Sequence, residues 1–209
     1  MLIPISKIQD ILKLNSIVIT GALHIGAHEC EELNFYNSMG LQNEDIIWIE
    51  AMNNKVIESK NKGIVNVYNA IITDKDDEDV IFNVSNNGQS SSILEFKTHA
   101  IQHPHVVYIS KFNGKSVTIN SFFERNNLDG NKYDFWNFDI QGAELMALKG
   151  STKYIQSAKA IYLEVNEKEL YENCGLIGEI DSFLSNFGFK RVLTNMTKHG
   201  WGDALYIKS

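Results

Sequence analysis

Proline, arginine and cysteine are nearly missing: the 209 residues include two of each. The cysteines, Cys30 and Cys174, are too few and too far apart for a disulfide framework or a cysteine zinc site, so they read as reduced residues of a cytoplasmic protein. Arg125 and Arg191 stand beside 17 lysines, and the net charge is -7. A surface of that sign with no basic block repels polyanions, so no nucleic-acid partner is expected and a neutral or cationic small molecule is favoured. No apolar run approaches the ~18 residues of a membrane span, and the first residues carry neither the apolar core nor the cleavage site of a secretory signal. Neither a membrane partner nor export is therefore expected. The absence of a GxSxG elbow, a GxxxxGKS/T loop and a GxGxxG turn speaks against an esterase, a P-loop enzyme and a nicotinamide-linked enzyme. What is present is an ordinary globular balance, 44% hydrophobic and 22% charged, in a chain long enough to bury about 70% of its unfolded surface. The 22 asparagines and 25 isoleucines fit an AT-rich genome.

Periodicity divides the chain into alternating strands and helices, all within one domain over 1–209. Ile5, Ile8, Ile11 and Leu12 recur at helical spacing, so residues 1–16 hold an amphipathic helix. Strands are expected at Ala22–Ile25, Ile46–Ile49, Val65–Ala70, Phe135–Ile140 and Ile161–Val165. Helices are expected near 29–39, 53–62, 143–149 and 176–187, the last two stopped by Gly150 and Gly188. The end reads as a hairpin. Such alternation predicts an α/β, Rossmann-like fold: a mostly parallel sheet of seven strands, the last antiparallel, with helices on both faces. Residues 73–120 interrupt the pattern with a polar stretch containing two short strand-like runs, Val106–Ile109 and Val117–Ile119. That insertion is a candidate cap over the substrate.

In open α/β sheets the ligand sits beyond the carboxyl ends of the strands. ALHIGAHEC (22–30) makes the first turn, where the small Gly26 and Ala27 allow close approach of backbone to ligand. Glu50 ends DIIWIE and is placed to accept ribose hydroxyls. FDIQGAE (138–144) puts Asp139 partly buried at the cleft floor, with Gln141 and Gly142 turning into the next helix and Glu144 supporting its first turn. YLEVN (162–166) brings Glu164 and Asn166 to the neighbouring strand end, where they could bind substrate hydroxyls or, with Asp139, a divalent cation. His24 reads as packed. His99, His103 and His105 cluster inside the insertion and include a candidate general base. His199 and Trp201, at the hairpin tip, are placed to line an acceptor pocket.

Taken in order, ALHIGAHEC, WIEAMNN, NVYNAIITD, GQSSSI, FDIQGAE and IYLEVN resemble the FkbM family of S-adenosylmethionine-dependent methyltransferases, from about residue 20 to the C-terminus. The resemblance implies the class I methyltransferase fold and methyl transfer to oxygen on a sugar or small natural product, with S-adenosyl-L-methionine as cofactor. It places Gly26, Ala27 and His28 beneath the methionine part, Glu50 at the ribose, and Ala70 and Ile71 beside the adenine, with Ala51 also at the cofactor. Asp139 matches the acidic residue at the fourth strand end, and Gln141 lies beside it. The sequence departs from the family at His24, where many members are acidic, at Cys30, often glycine, and at Gln141, often glutamate. An IGAH-type turn also occurs in virus-encoded and bacterial relatives, so the enzyme is expected in the cytoplasm, that of the host if the source is viral.

The resulting expectation is a sugar O-methyltransferase, modifying a glycan or small glycoside and working with, or fused to, glycosyltransferases. Asp139 is the first candidate base and His99 or His103 the second. Ser90, Ser91 and Ser92 close over the acceptor, with Glu164, Asn166, His199 and Trp201 around it. A magnesium or manganese ion held by Asp139, Glu164 and Asn166 is weighed and not favoured, because Gln141 offers a neutral amide where a carboxylate would help. The alternatives are a methyltransferase of another small molecule and an inactive cofactor-binding module.

Overall fold

The computed structural model describes residues 1–208. Ten strands and seven α-helices follow one another along these residues. The main sheet takes β1 (Ala22–Ile25), β2 (Ile46–Glu50), β3 (Val67–Asn69), β7 (Phe135–Phe138), β8 (Ala160–Asn166), β9 (Phe189–Met196) and β10 (Trp201–Lys208), in the order β3-β2-β1-β7-β8-β10-β9. Neighbours pair in parallel except β10, which runs antiparallel to both β8 and β9. The expected seven-stranded, mostly parallel sheet is what forms.

Its central strands are covered on both faces, which is why they read as continuous apolar runs rather than alternating ones. All five residues of β2 are buried. Alternation survives in where the side chains go. Leu23, Ile25, Ile47 and Ile49 enter one core with residues of α5 (Ile119–Arg125), α6 (Glu144–Lys149) and α7 (Ile177–Ser185). Ala22, Ile46 and Trp48 enter the other, with residues of α1 (Ile5–Leu14), α2 (Leu33–Ser38) and α3 (Asn53–Asn61).

Three expectations change. The helix anticipated near 29–39 shrinks to α2, because His28 (φ +42°) and Cys30 (φ +58°) take left-handed backbone that no helix accepts. The strand anticipated at Val65–Ala70 ends at Asn69, and the chain swings out so that β4 (Ile71–Ile72) joins a second, three-stranded sheet with β5 (Asp79–Ser85) and β6 (Tyr108–Val117). The two short runs expected at 106–109 and 117–119 are not separate strands. β6 spans ten residues between them, and Ile119 instead starts α5, whose N-cap Thr118 accepts a hydrogen bond from the Ser121 backbone N–H at 3.1 Å. The middle of β6, KFNGKS, is mostly exposed and polar, so it carried no apolar signal. The remaining insertion element is α4 (Thr98–Gln102).

Candidate active site

The carboxyl ends of β1, β2, β3 and β7 surround one cleft. Gly26 takes φ +87°, and a Cβ there would stand 1.9 Å from the Asp139 carbonyl oxygen, so only glycine fits where the ends of β1 and β7 meet. The Gly26 and Ala27 backbone N–H groups both donate to the Ile49 carbonyl, at 2.9 and 3.0 Å. Glu50 is buried, and each of its oxygens is fixed: the His28 backbone N–H donates to Oε2 at 2.8 Å and that of Met52 to Oε1 at 2.7 Å. Burial raises its pKa and these two donors oppose the rise. Each oxygen keeps a lone pair for a hydroxyl. Beyond Glu50, Ala51, Met52, Ala70, Ile71 and Phe82 form an apolar slot.

Gln141 organises the floor. Its φ of +55° turns the chain out of β7, and its carbonyl accepts from Ser92 Oγ at 2.9 Å. Its Nε2 donates to Asp139 Oδ1 at 2.7 Å and to Glu164 Oε2 at 3.0 Å. The buried Tyr171 hydroxyl donates to its Oε1 at 2.5 Å, which fixes which end of the amide faces the acids. Glu144 accepts from the Ile140 and Gly142 backbone N–H groups at 3.0 and 3.3 Å. Burial pushes its carboxyl up to about 7. Asp139 is open to the cleft, unlike the partly buried side chain expected, yet protein crowds its carboxyl from the other sides. That loss of water raises its pKa, the Gln141 hydrogen bond opposes, and Asp203 adds to the rise. Glu164 is held well above the usual range, first by burial and then by Asp139.

A second cleft opens beside the first and shares Gly26, His28, Gln89 and Asp139 with it. His99, His103, His105, Glu164, Trp201 and Asp203 contribute to its walls. The imidazoles crowd together: His99 to His103 is 5.0 Å between ring centroids, His103 to His105 6.2 Å and His103 to His199 5.3 Å. Burial, with help from His103 and His105, drops His99 to about 4. It stacks on Phe96 at 4.3 Å, and its Nδ1 is buried without a partner. Burial also lowers His103. Among the described residues, no three His, Cys, Asp or Glu side chains converge as metal ligands.

A model of the methyltransferase FkbM domain matches residues 24–191 of the chain. The chain belongs to the FkbM methyltransferase family. No curated protein matches it in sequence. Among solved structures it is similar to a sarcosine dimethylglycine methyltransferase, described as putative, from Galdieria sulphuraria, at 10% identity and TM-score 0.52 over 98% of this chain and 85% of that one. It also aligns with the magnesium protoporphyrin IX methyltransferase of Synechocystis PCC 6803 crystallised with bound SAM, at 10% identity and TM-score 0.48, over 98% and 78% of the two chains. At these identities the likeness concerns the fold.

Within this FkbM domain, Gly26, His28, Glu50, Ala51, Ala70, Ile71 and Asp139 line the first cleft. Ala27 does not; it is 1% exposed and packs into the core. Gln141, expected against the cofactor, lines the second cleft instead. The three serines separate. Ser90 lines the second cleft and Ser91 the first, whereas Ser92 is held by Gln141 and lines neither. Asn166 is fully buried with both amide atoms unpartnered, so it is neither a substrate contact nor a metal ligand on this geometry. His199 belongs to the histidine cluster but not to the cleft wall. His24 is packed as expected: it is buried, stacks on Trp48 at 5.0 Å, meets the Tyr36 hydroxyl at 2.9 Å, and burial lowers it to about 4. Sequence reasoning missed Tyr171 and Asp203. An acid inside the apolar run WGDALYI was a usable signal for Asp203, while nothing local marks Tyr171.

Proposed function

We propose that the protein is an S-adenosylmethionine-dependent O-methyltransferase acting on a sugar hydroxyl of a glycan or small glycoside. The observation that carries this reading is the pair of adjoining clefts with Asp139 on their shared border. The first cleft suits the cofactor: a glycine-only backbone approach at Gly26, a fixed carboxylate at Glu50 for ribose hydroxyls, and an apolar slot for a flat base. When bound there, S-adenosylmethionine supplies a sulfonium methyl group that is already activated.

The chain's own residues have three tasks. Gly88, Gln89 and Ser91 of the insertion wall the first cleft and help to exclude water. The second cleft holds the acceptor so that its hydroxyl meets the cofactor cleft at Asp139. Asp139 then takes the hydroxyl proton on Oδ2, the oxygen that Gln141 leaves free, and its raised pKa brings it closer to the working pH of a base. His103, at the rim, is the reserve base. Its partners would be enzymes that build the glycan, and its site of action the cytoplasm. The test is incubation with S-adenosylmethionine and a panel of glycosides, following S-adenosylhomocysteine release and mass gain. A gain of one methyl on oxygen is expected; cofactor turnover with methyl on nitrogen or carbon defeats the reading.

A further inference from the structure

Glu164 and Asp203 lie directly opposite each other on the antiparallel pair β8–β10. Directly opposed residues project to the same face with Cβ atoms about 5 Å apart, and like charges in that position repel. Both side chains are more than nine-tenths buried, at 7% and 6% exposure. Each has one oxygen tied by the protein: Gln141 Nε2 donates to Glu164 Oε2, and the Tyr162 hydroxyl and the Leu2 backbone N–H donate to Asp203 Oδ2. Glu164 Oε1 and Asp203 Oδ1 have no protein partner, and both residues line the second cleft. Among the described residues no lysine or arginine lines that cleft; Met1, which bears the α-amino group, lines it, but neither acid takes part in an ion pair with that group or any other. Trp201, two residues before Asp203 and so on the same face of β10, adds an aromatic wall. Neither acid borders the first cleft, so a cofactor seated there leaves them uncovered.

Two preorganised carboxyl groups with one free oxygen each, beside an indole, match a primary ammonium: it has three donors, its charge draws the raised Glu164 back toward the ionised form, and an aromatic face attracts it. We propose that Glu164, Asp203 and Trp201 form an ammonium-binding subsite, so that the acceptor is an amine-bearing sugar rather than a neutral or acidic one. The inference rests on the sugar-hydroxyl reading for the word sugar, and on the geometry of the pair for the amine.

The test is calorimetry at pH 7 on the protein loaded with S-adenosylhomocysteine. The probes are the methyl glycosides of glucosamine, N-acetylglucosamine, glucose and glucuronic acid. The glucosaminide is expected to bind at least about tenfold more tightly than the other three, the scale of one charge-assisted contact. Glu164→Gln and Asp203→Asn are each expected to erase that preference. The inference is overturned if the N-acetyl or acidic sugar binds as well as the amine, if no amine binding is measurable, or if the preference survives in both variants. It is also overturned if the preference needs magnesium and vanishes on chelation, which would make the pair a metal site. Should a variant fail to fold, the comparison of four sugars on the unaltered protein decides alone. Product analysis separates the two readings. Amine preference with methyl on nitrogen sinks O-methylation and keeps the subsite, while oxygen methylation without amine preference does the reverse.

Discussion

The amide of Gln141 stands between Asp139 and Glu164, two carboxylates that would otherwise face each other bare. Asp139 is thereby oriented with one oxygen free, and Asp139→Asn should keep cofactor binding while lowering turnover roughly 10²-fold, the usual scale of one acid–base group. Isothermal binding beside steady-state rates checks this, and near-normal turnover moves the role to His103. Glu50 has two backbone donors on it, so Glu50→Ala removes a ribose contact and strands two N–H groups. A loss of more than about tenfold in S-adenosylmethionine affinity is expected, with a stability cost of about 1–3 kcal/mol. Calorimetry and thermal melting read the two effects separately. That Glu50, Gly26 and Asp139 line the cleft was legible beforehand because each ends or follows an apolar run at a strand end, where ligand clefts of such sheets lie. Tyr171 was not: it reaches Gln141 across 30 positions from an irregular segment with no periodic pattern. Asn166 misled because spacing along a strand reports which face a side chain takes, not whether a neighbouring loop then buries it.

At the level of elements, the seven-stranded sheet was readable because its strands are short apolar runs punctuated by turns, and the strands inside the insertion were not, because β6 is exposed along most of its length. The insertion nonetheless builds the site. Gly88 takes φ +73°, and a Cβ there would lie 3.1 Å from His28 Nε2. The segment around it therefore rests directly on the turn that follows β1. Gly88→Ala should lift that segment, weakening cofactor affinity by about tenfold through left-handed strain of order 1 kcal/mol plus the displaced contact. Hydrogen exchange at residues 86–92 should rise in the variant while the protection of β1 and β7 stays unchanged. Equal loss of protection throughout would show instead that the insertion is integral to the folding unit.

For the whole molecule, buried ionisable groups set a pH window. His24 and His99 are lowered from 6.5 to about 4, so the unfolded chain binds their protons first, and the stability they confer is present above 6.5 and lost as pH falls through 4. Glu144 behaves oppositely. It is raised from 4.5 to about 7, so its contribution is complete below 4.5 and is lost as pH rises through 7. Glu164 is raised in the same direction, first by burial. Above pH 6.5 His24 and His99 are neutral in both states, while Glu144, Glu164 and His28, raised by its hydrogen bond to Glu31, still lose their contributions, so urea midpoints should fall between pH 6.5 and 8. Glu144→Gln should flatten that fall, because the amide oxygen can still accept from the Ile140 and Gly142 backbone N–H groups. A slope unaltered by the substitution would assign the effect to Glu164 and His28. The insertion also has a consequence for how such enzymes diversify. Its two ends are stitched side by side, with the Thr73 backbone N–H donating to the Val117 carbonyl at 3.1 Å and Ile72 paired with Val117. A segment that leaves and re-enters at one point can be transplanted, and grafting residues 74–115 from a relative should swap the acceptor while the recipient sheet stays intact.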